Sequence, residues 1–223
     1  MRAAIEKTDS EIKTQVLSEL NYEPSVKATD IGVLVKNGTV TLNGYATSYG
    51  EKWDAVRAVK RVAGVNGIAD DIEVKLPDSH KRDDGDIAAA AANQINLTSR
   101  IPEGNVSVVV RDGRIVLEGE VEWWFQKDNA GKAVQDLTGV KMVTNMITLK
   151  PTMATEAVEK AIKSAFERSA LVDAQAVHVE TSGNKVMLTG KVQNWTEREE
   201  AERAAWSSPG VFSVDNQLKI QWS

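Results

Sequence analysis

Side chains that transfer protons, ligate metals or attack bonds are few in this sequence, and they stand apart from one another. There are two histidines, His80 and His178, and no cysteine. His80 lies in the charged run "DSHKRDDG", and His178 alternates with Val177 and Val179, which sets it on the solvent side of a strand. With only these two histidines and no cysteine, a metal site and a nucleophile–histidine couple both lack their parts, and both histidines read as solvent-facing. Glu118, Glu120 and Glu122 recur every second residue, as they would on a wet strand face, and no acid–base pair is implied. "NGTVTLNG", from Asn37, closes a hairpin and does not open a helix over a phosphate. "GVNG", from Gly64, has the spelling of a nucleic-acid clamp but leads into a strand and occurs once. The remaining candidate is a contact surface: Trp123, Trp124 and Phe125 are adjacent and are followed by Lys127 and Lys132. Rings beside lysines suit the headgroup layer of an anionic membrane, and the competing reading is an interface packed against protein.

Those aromatics fall inside a unit written three times. Gly44, Gly119 and Gly190 close the phrases "TLNG", "VLEG" and "MLTG", and twenty residues after each comes Gly64, Gly139 or Gly210. Five residues after each first glycine stands an aromatic, Tyr49, Trp124 or Trp195, and alanines follow at eleven and fourteen. Trp123 and Phe125 have no aromatic counterparts, since Ser48 and Gly50, then Asn194 and Thr196, occupy their places. Trp124 therefore reads as core or helix-entry packing, and its two neighbours either as an interface packed against a neighbouring repeat or as a lipid or partner contact.

Each unit opens with a helical pattern such as Ile12, Val16, Leu20 or Val158, Ile162, Phe166, with "TDSE" and "TEAVEK" supplying caps. Two alternating strands follow, joined by Asn37-Gly38, Asp112-Gly113 or Gly183-Asn184. A second helix, expected to start near Gly50, Gln126 and Glu197, ends before Gly64, Gly139 or Gly210 in a left-handed cap. A last strand returns parallel to the second. The expected fold is α+β: three tandem α-β-β-α-β repeats at 9–77, 86–151 and 155–223, each a small three-stranded mixed sheet covered by two helices. The six glycines are structural; Gly44, Gly119 and Gly190 are expected to admit a close helix backbone or a bulge. The segment 78–85 reads as an exposed linker.

Composition narrows the function classes. The 223 residues carry a net charge of -5, which argues against general nucleic-acid binding. The repeats carry about −2, −1 and −2, so the second is least repelled by an anionic surface. No apolar stretch reaches the length of a membrane span, and the first residues do not form a secretory leader, so the sequence as written implies a cytoplasmic protein, or a periplasmic one if a leader has been removed.

The phrases "LNGYA…GV" from Leu42, "LEGEV…GV" from Leu117 and "LTGKV…GV" from Leu188 resemble the BON domain family, the OsmY-like bacterial proteins. The resemblance covers nearly the whole chain and specifies fold more than chemistry. It implies a non-enzymatic, cofactor-free binding or scaffold protein of osmotic or envelope stress, with a phospholipid surface or envelope proteins as partners. In that reading Trp123, Phe125, Lys127 and Lys132 make the contact. The alternative is a protein-binding or chaperone-like stress module.

Overall fold

The computed structural model describes residues 7–98, 100–150, 158–169, 172–208 and 210–221. In the first repeat α1 (Asp9–Tyr22) precedes the hairpin of β1 (Ile31–Lys36) and β2 (Thr39–Ala46), then α2 (Tyr49–Lys60) and β3 (Gly67–Val74). The second repeat has α3 (Asp84–Leu97), β4 (Val106–Arg111), β5 (Arg114–Val121), α4 (Trp124–Gln135), β6 (Met142–Asn145) and β7 (Thr148–Leu149). The third has α5 (Val158–Arg168), β8 (Val177–Ser182), β9 (Lys185–Val192), α6 (Trp195–Trp206), β10 (Ser213–Asn216) and β11 (Lys219–Ile220). Each hairpin is antiparallel and each returning strand pairs in parallel with the hairpin's second strand, as the crossover requires. In the second and third repeats the returning strand is split in two without a change of register.

Three separate cores result. Ile12, Val16 and Leu20 of α1 pack on Val40, Leu42 and Ile72, and Ile162 and Phe166 of α5 pack on Val186 and Leu188. In α3 only Ile87, Ala91 and Ile95 are buried, the thinner face that its alanine run implied. Asn37 and Asp112 both have φ of 52°, followed by positive-φ glycines, the backbone that a two-residue hairpin needs. Asp9 and Asp84 hold these turns from the starts of α1 and α3, each carboxylate accepting both turn N–H groups at 2.8 and 2.9 Å.

Several expectations change. Asp83 caps α3, so the end of the segment read as a linker belongs to the second repeat's first helix. The second helices begin at the aromatic five residues after the glycine, one to two residues earlier than expected, because Ser48 and Asn194 cap them there. Their buried stripe runs at seven, eleven and fifteen residues after the glycine; the alanine at fourteen is fully buried only as Ala58. Gly44, Gly119 and Gly190 do not face a helix. A Cβ there would stand 2.0 to 2.1 Å from the carbonyl oxygen of Asp30, Asn105 or Ala176, the residue before each hairpin's first strand. The helix approach falls instead at the second glycines, where a Cβ on Gly64 or Gly139 would meet Ile12 or Ile87 below 3 Å. Thr155, read as a cap for the third repeat's first helix, lies outside the described residues.

Candidate functional site: the head of helix α4 and the joints between repeats

The residue seven after each hairpin glycine is polar yet buried: Glu51, Gln126 and Glu197. Glu51 accepts the N–H of Lys27 at 2.9 Å and that of Thr47 at 2.7 Å, and so fastens the helix to the approach of β1. Glu197 does the same with the N–H groups of Asp173 and Gln193. In the second repeat the place of Lys27 and Asp173 is taken by Pro102, which has no N–H. A carboxylate there would lose a donor and face a carbonyl. Gln126 fits instead: its Oε1 accepts from Glu122 and Trp123, and its Nε2 donates to Arg100 O at 2.7 Å.

The helix cap departs in the same repeat. Ser48 Oγ accepts from Glu51 N at 3.0 Å and Asn194 Oδ1 from Glu197 N at 2.8 Å, whereas Trp123 occupies this position and has no oxygen to offer. Replacing such a cap costs about 1 kcal/mol. The first turn of α4 also lacks the acid that α2 and α6 carry. Trp123 and Phe125 are 38% and 39% exposed. With Trp124, Trp206 and Ser207 they line a hollow of about 380 Å³. The Arg100 guanidinium lies 6.0 Å from the centre of the Phe125 ring.

The aromatics that begin the three second helices, which the sequence placed as core or helix-entry packing, pack between repeats. Trp195 at the head of α6 rests on the first repeat's core, donates Nε1–H to Val65 O at 3.1 Å, and stacks under Lys60 at the tail of α2. Trp124 at the head of α4 stacks on Trp206 at the tail of α6, centroids 6.3 Å apart. Tyr49 at the head of α2 packs on the second repeat's core beside the backbone of Val143, and its burial raises the phenol's pKa. Next to it a Cβ on Gly50 would stand 2.4 Å from Asp136 Oδ1, at the tail of α4. Three helices thus meet head to tail and close a triangle, each positive end against a negative one.

Of the contact residues expected from sequence, the structure brings Trp123 and Phe125 together and separates the lysines from them. Lys127 is two residues past Phe125, about 200° around the helix. Its counterparts Lys52 and Arg198 donate to carbonyls of the returning strand, Ile72 O and Asn216 O. Lys127 is half-buried, and that burial lowers its pKa. Lys132 pairs with Asp128 at 2.7 Å and turns into the space enclosed by the three helices. Arg100 and Trp206 join the aromatic corner without having been anticipated: Arg100 lies outside the repeat signature, and Trp206 belongs to another repeat. Both histidines are exposed. Among the described residues no three histidine or acidic side chains converge as metal ligands would, and no helix is long and apolar enough to cross a membrane.

Comparison with known proteins gives three successive matches to the family described as BON domain, at residues 8–75, 83–151 and 154–221. Over 146 residues, 64% of this chain and 73% of the relative, the sequence is 32% identical to osmotically-inducible protein Y of Escherichia coli (strain K12). Two solved structures of CdsD, a structural protein of the type III secretion system of Chlamydia trachomatis, align at 15% identity over 96% and 95% of this chain and 100% and 92% of theirs. Their TM-scores are 0.26 and 0.27, and nothing about this chain follows from so loose a superposition.

Proposed function

Because the chain belongs to the BON domain family, with three such domains in tandem, we propose that it is a non-enzymatic stress-response protein that attaches peripherally to phospholipid surfaces through the head of α4. The stress connection comes from its relative, the osmotically-inducible protein of E. coli. One observation carries the lipid reading: Trp123 displaces a helix cap that both sister repeats keep, and does so half-exposed beside Phe125. A residue that lowers local stability and offers a ring to solvent serves something other than the fold. Partial burial of such rings among headgroups supplies the anchor, and Arg100 beside Phe125 supplies the nearest positive charge for anionic lipid.

The test is a double variant, Trp123→Asn with Phe125→Thr, which restores the residues of the third repeat. Its melting temperature is expected to rise, because the cap returns about 1 kcal/mol. Flotation with phosphatidylglycerol vesicles at low salt is expected for the natural chain and lost in the variant. A variant that is more stable and floats equally well would exclude this site, and no flotation of the natural chain would exclude the lipid reading in favour of a protein partner.

A further inference from the structure

The triangle of α2, α4 and α6 encloses a cavity of about 430 Å³ to which all three repeats contribute. Thirteen residues after each hairpin glycine stands a cation, Arg57, Lys132 or Arg203, and all three line this cavity. By contrast the lining position nine residues after the glycine varies, as Trp53, Asp128 and Glu199. The repeated charge is not required by packing, since all three side chains are more than half exposed. It persists three times in a chain of net charge -5.

Each cation is paired within its own helix. Arg57 is held by Asp54 at 2.7 Å, Lys132 by Asp128 at 2.7 Å, and Arg203 by Glu200 through Nε and Nη2. These are exposed pairs within one helix, individually weak, and among the described residues they leave donors unused: Nε and Nη1 of Arg57, two N–H groups of Lys132, and Nη1 of Arg203. The other carboxylates of the lining are also engaged, Glu199 with Lys60, a fourth cation of the lining, and Glu202 with the Asn216 amide at 2.8 Å. Trp53, Val56 and Trp124 give the cavity an apolar wall, against which charge-assisted hydrogen bonds are less diluted by water.

We propose that this cavity binds a small tetrahedral oxyanion of the phosphate or phosphomonoester class, held by Arg57, Lys132 and Arg203, one from each repeat. Three donors related by an approximate threefold axis match three oxygens of a tetrahedral anion. The fourth oxygen then lies along the axis, where an ester substituent has room. The site is separate from the aromatic corner and stands or falls independently of the lipid reading.

The experiment titrates the full chain at low ionic strength with inorganic phosphate and, in parallel, with a short-chain phosphatidic acid, a phosphomonoester lipid, below its micelle concentration. Calorimetry and tryptophan fluorescence report binding, with Trp53 and Trp124 in the wall. Arg57→Gln, Lys132→Gln and Arg203→Gln, each checked for unchanged circular dichroism, are expected to raise Kd about three- to tenfold apiece. Trp123→Asn with Phe125→Thr is expected to leave it unchanged. Binding of phosphate with this pattern identifies a soluble anion as the source, and binding of the short-chain lipid alone with this pattern identifies a headgroup. Binding that survives the triple Gln variant, or no binding of either probe, overturns the proposal.

Discussion

At the residue scale the second repeat differs from its sisters at three neighbouring positions, and one cause links two of the differences. Pro102 withdraws the N–H that Glu51 and Glu197 use in the other repeats, and Gln126 answers by donating to Arg100 O. Gln126→Glu is therefore expected to lower stability by about 1–3 kcal/mol at neutral pH, the cost of a buried polar group left without a partner. The sign with pH follows. A carboxyl in that place would be favoured in its protonated form, which can donate to Arg100 O, so its folded pKa lies above the unfolded one. The deficit is fully present above the folded pKa and shrinks as pH falls through it. Urea melts of the variant and natural chain near neutrality and in mild acid check this, and a gap that widens in acid would refute the account. Trp123 differs in kind, because no hydrogen-bonding partner among the described residues accounts for it as Pro102 accounts for Gln126.

At the element scale, much was legible because each element repeats a short-range signal. Alternating apolar residues fixed the hairpins, and Asn37-Gly38 and Asp112-Gly113 fixed their turns. The heads of the second helices were misplaced because the cap residues, Ser48 and Asn194, are succeeded by aromatics, which read as loop anchors more readily than as first helical residues. The role of Gly44, Gly119 and Gly190 was legible and their neighbour was not. Their φ values of 111°, 141° and 123° and the facing carbonyl depend on how the hairpin curls back on its own approach, which no spacing encodes. The consequence is a harsher prediction than overpacking alone. Gly44→Ala already forces a methyl against Asp30 O in a backbone region that L-residues avoid, so even this smallest change is expected to cost more than about 1 kcal/mol. Thermal melts of the three Gly→Ala variants measure it. Equal stability in all three would mean that the strand relaxes and that the glycines are not required.

At the scale of the whole molecule the joints were not legible at all, because their partners are far apart in sequence: Trp195 meets Val65, and Trp124 meets Trp206. Two joints unite repeats that are adjacent in the chain, while the third, between the last repeat and the first, has only side chains to hold it. Lys60 is its hub, 5.8 and 5.9 Å from the ring centres of Trp53 and Trp195 and paired with Glu199. The Lys60–Trp53 contact lies within α2, so across the joint one indole hydrogen bond of about 1 kcal/mol, one cation–π contact of about 0.5–1 kcal/mol and an exposed ion pair of under about 1 kcal/mol add to about 2–3 kcal/mol. That is enough to keep the triangle closed and small enough for two substitutions to undo. Trp195→Ala with Lys60→Ala removes all of these contacts without touching the buried stripe of α2 or α6, so each repeat is expected to stay folded while the open population rises about a hundredfold. The absence of cysteine permits spin labels at two introduced sites, Tyr22→Cys in the first repeat and Lys185→Cys in the third, both exposed. In the natural chain a single narrow distance distribution is expected. In the double variant it should broaden toward longer distances with circular dichroism unchanged. A distribution that stays narrow in the double variant would show that the last repeat is held to the first by something other than this joint.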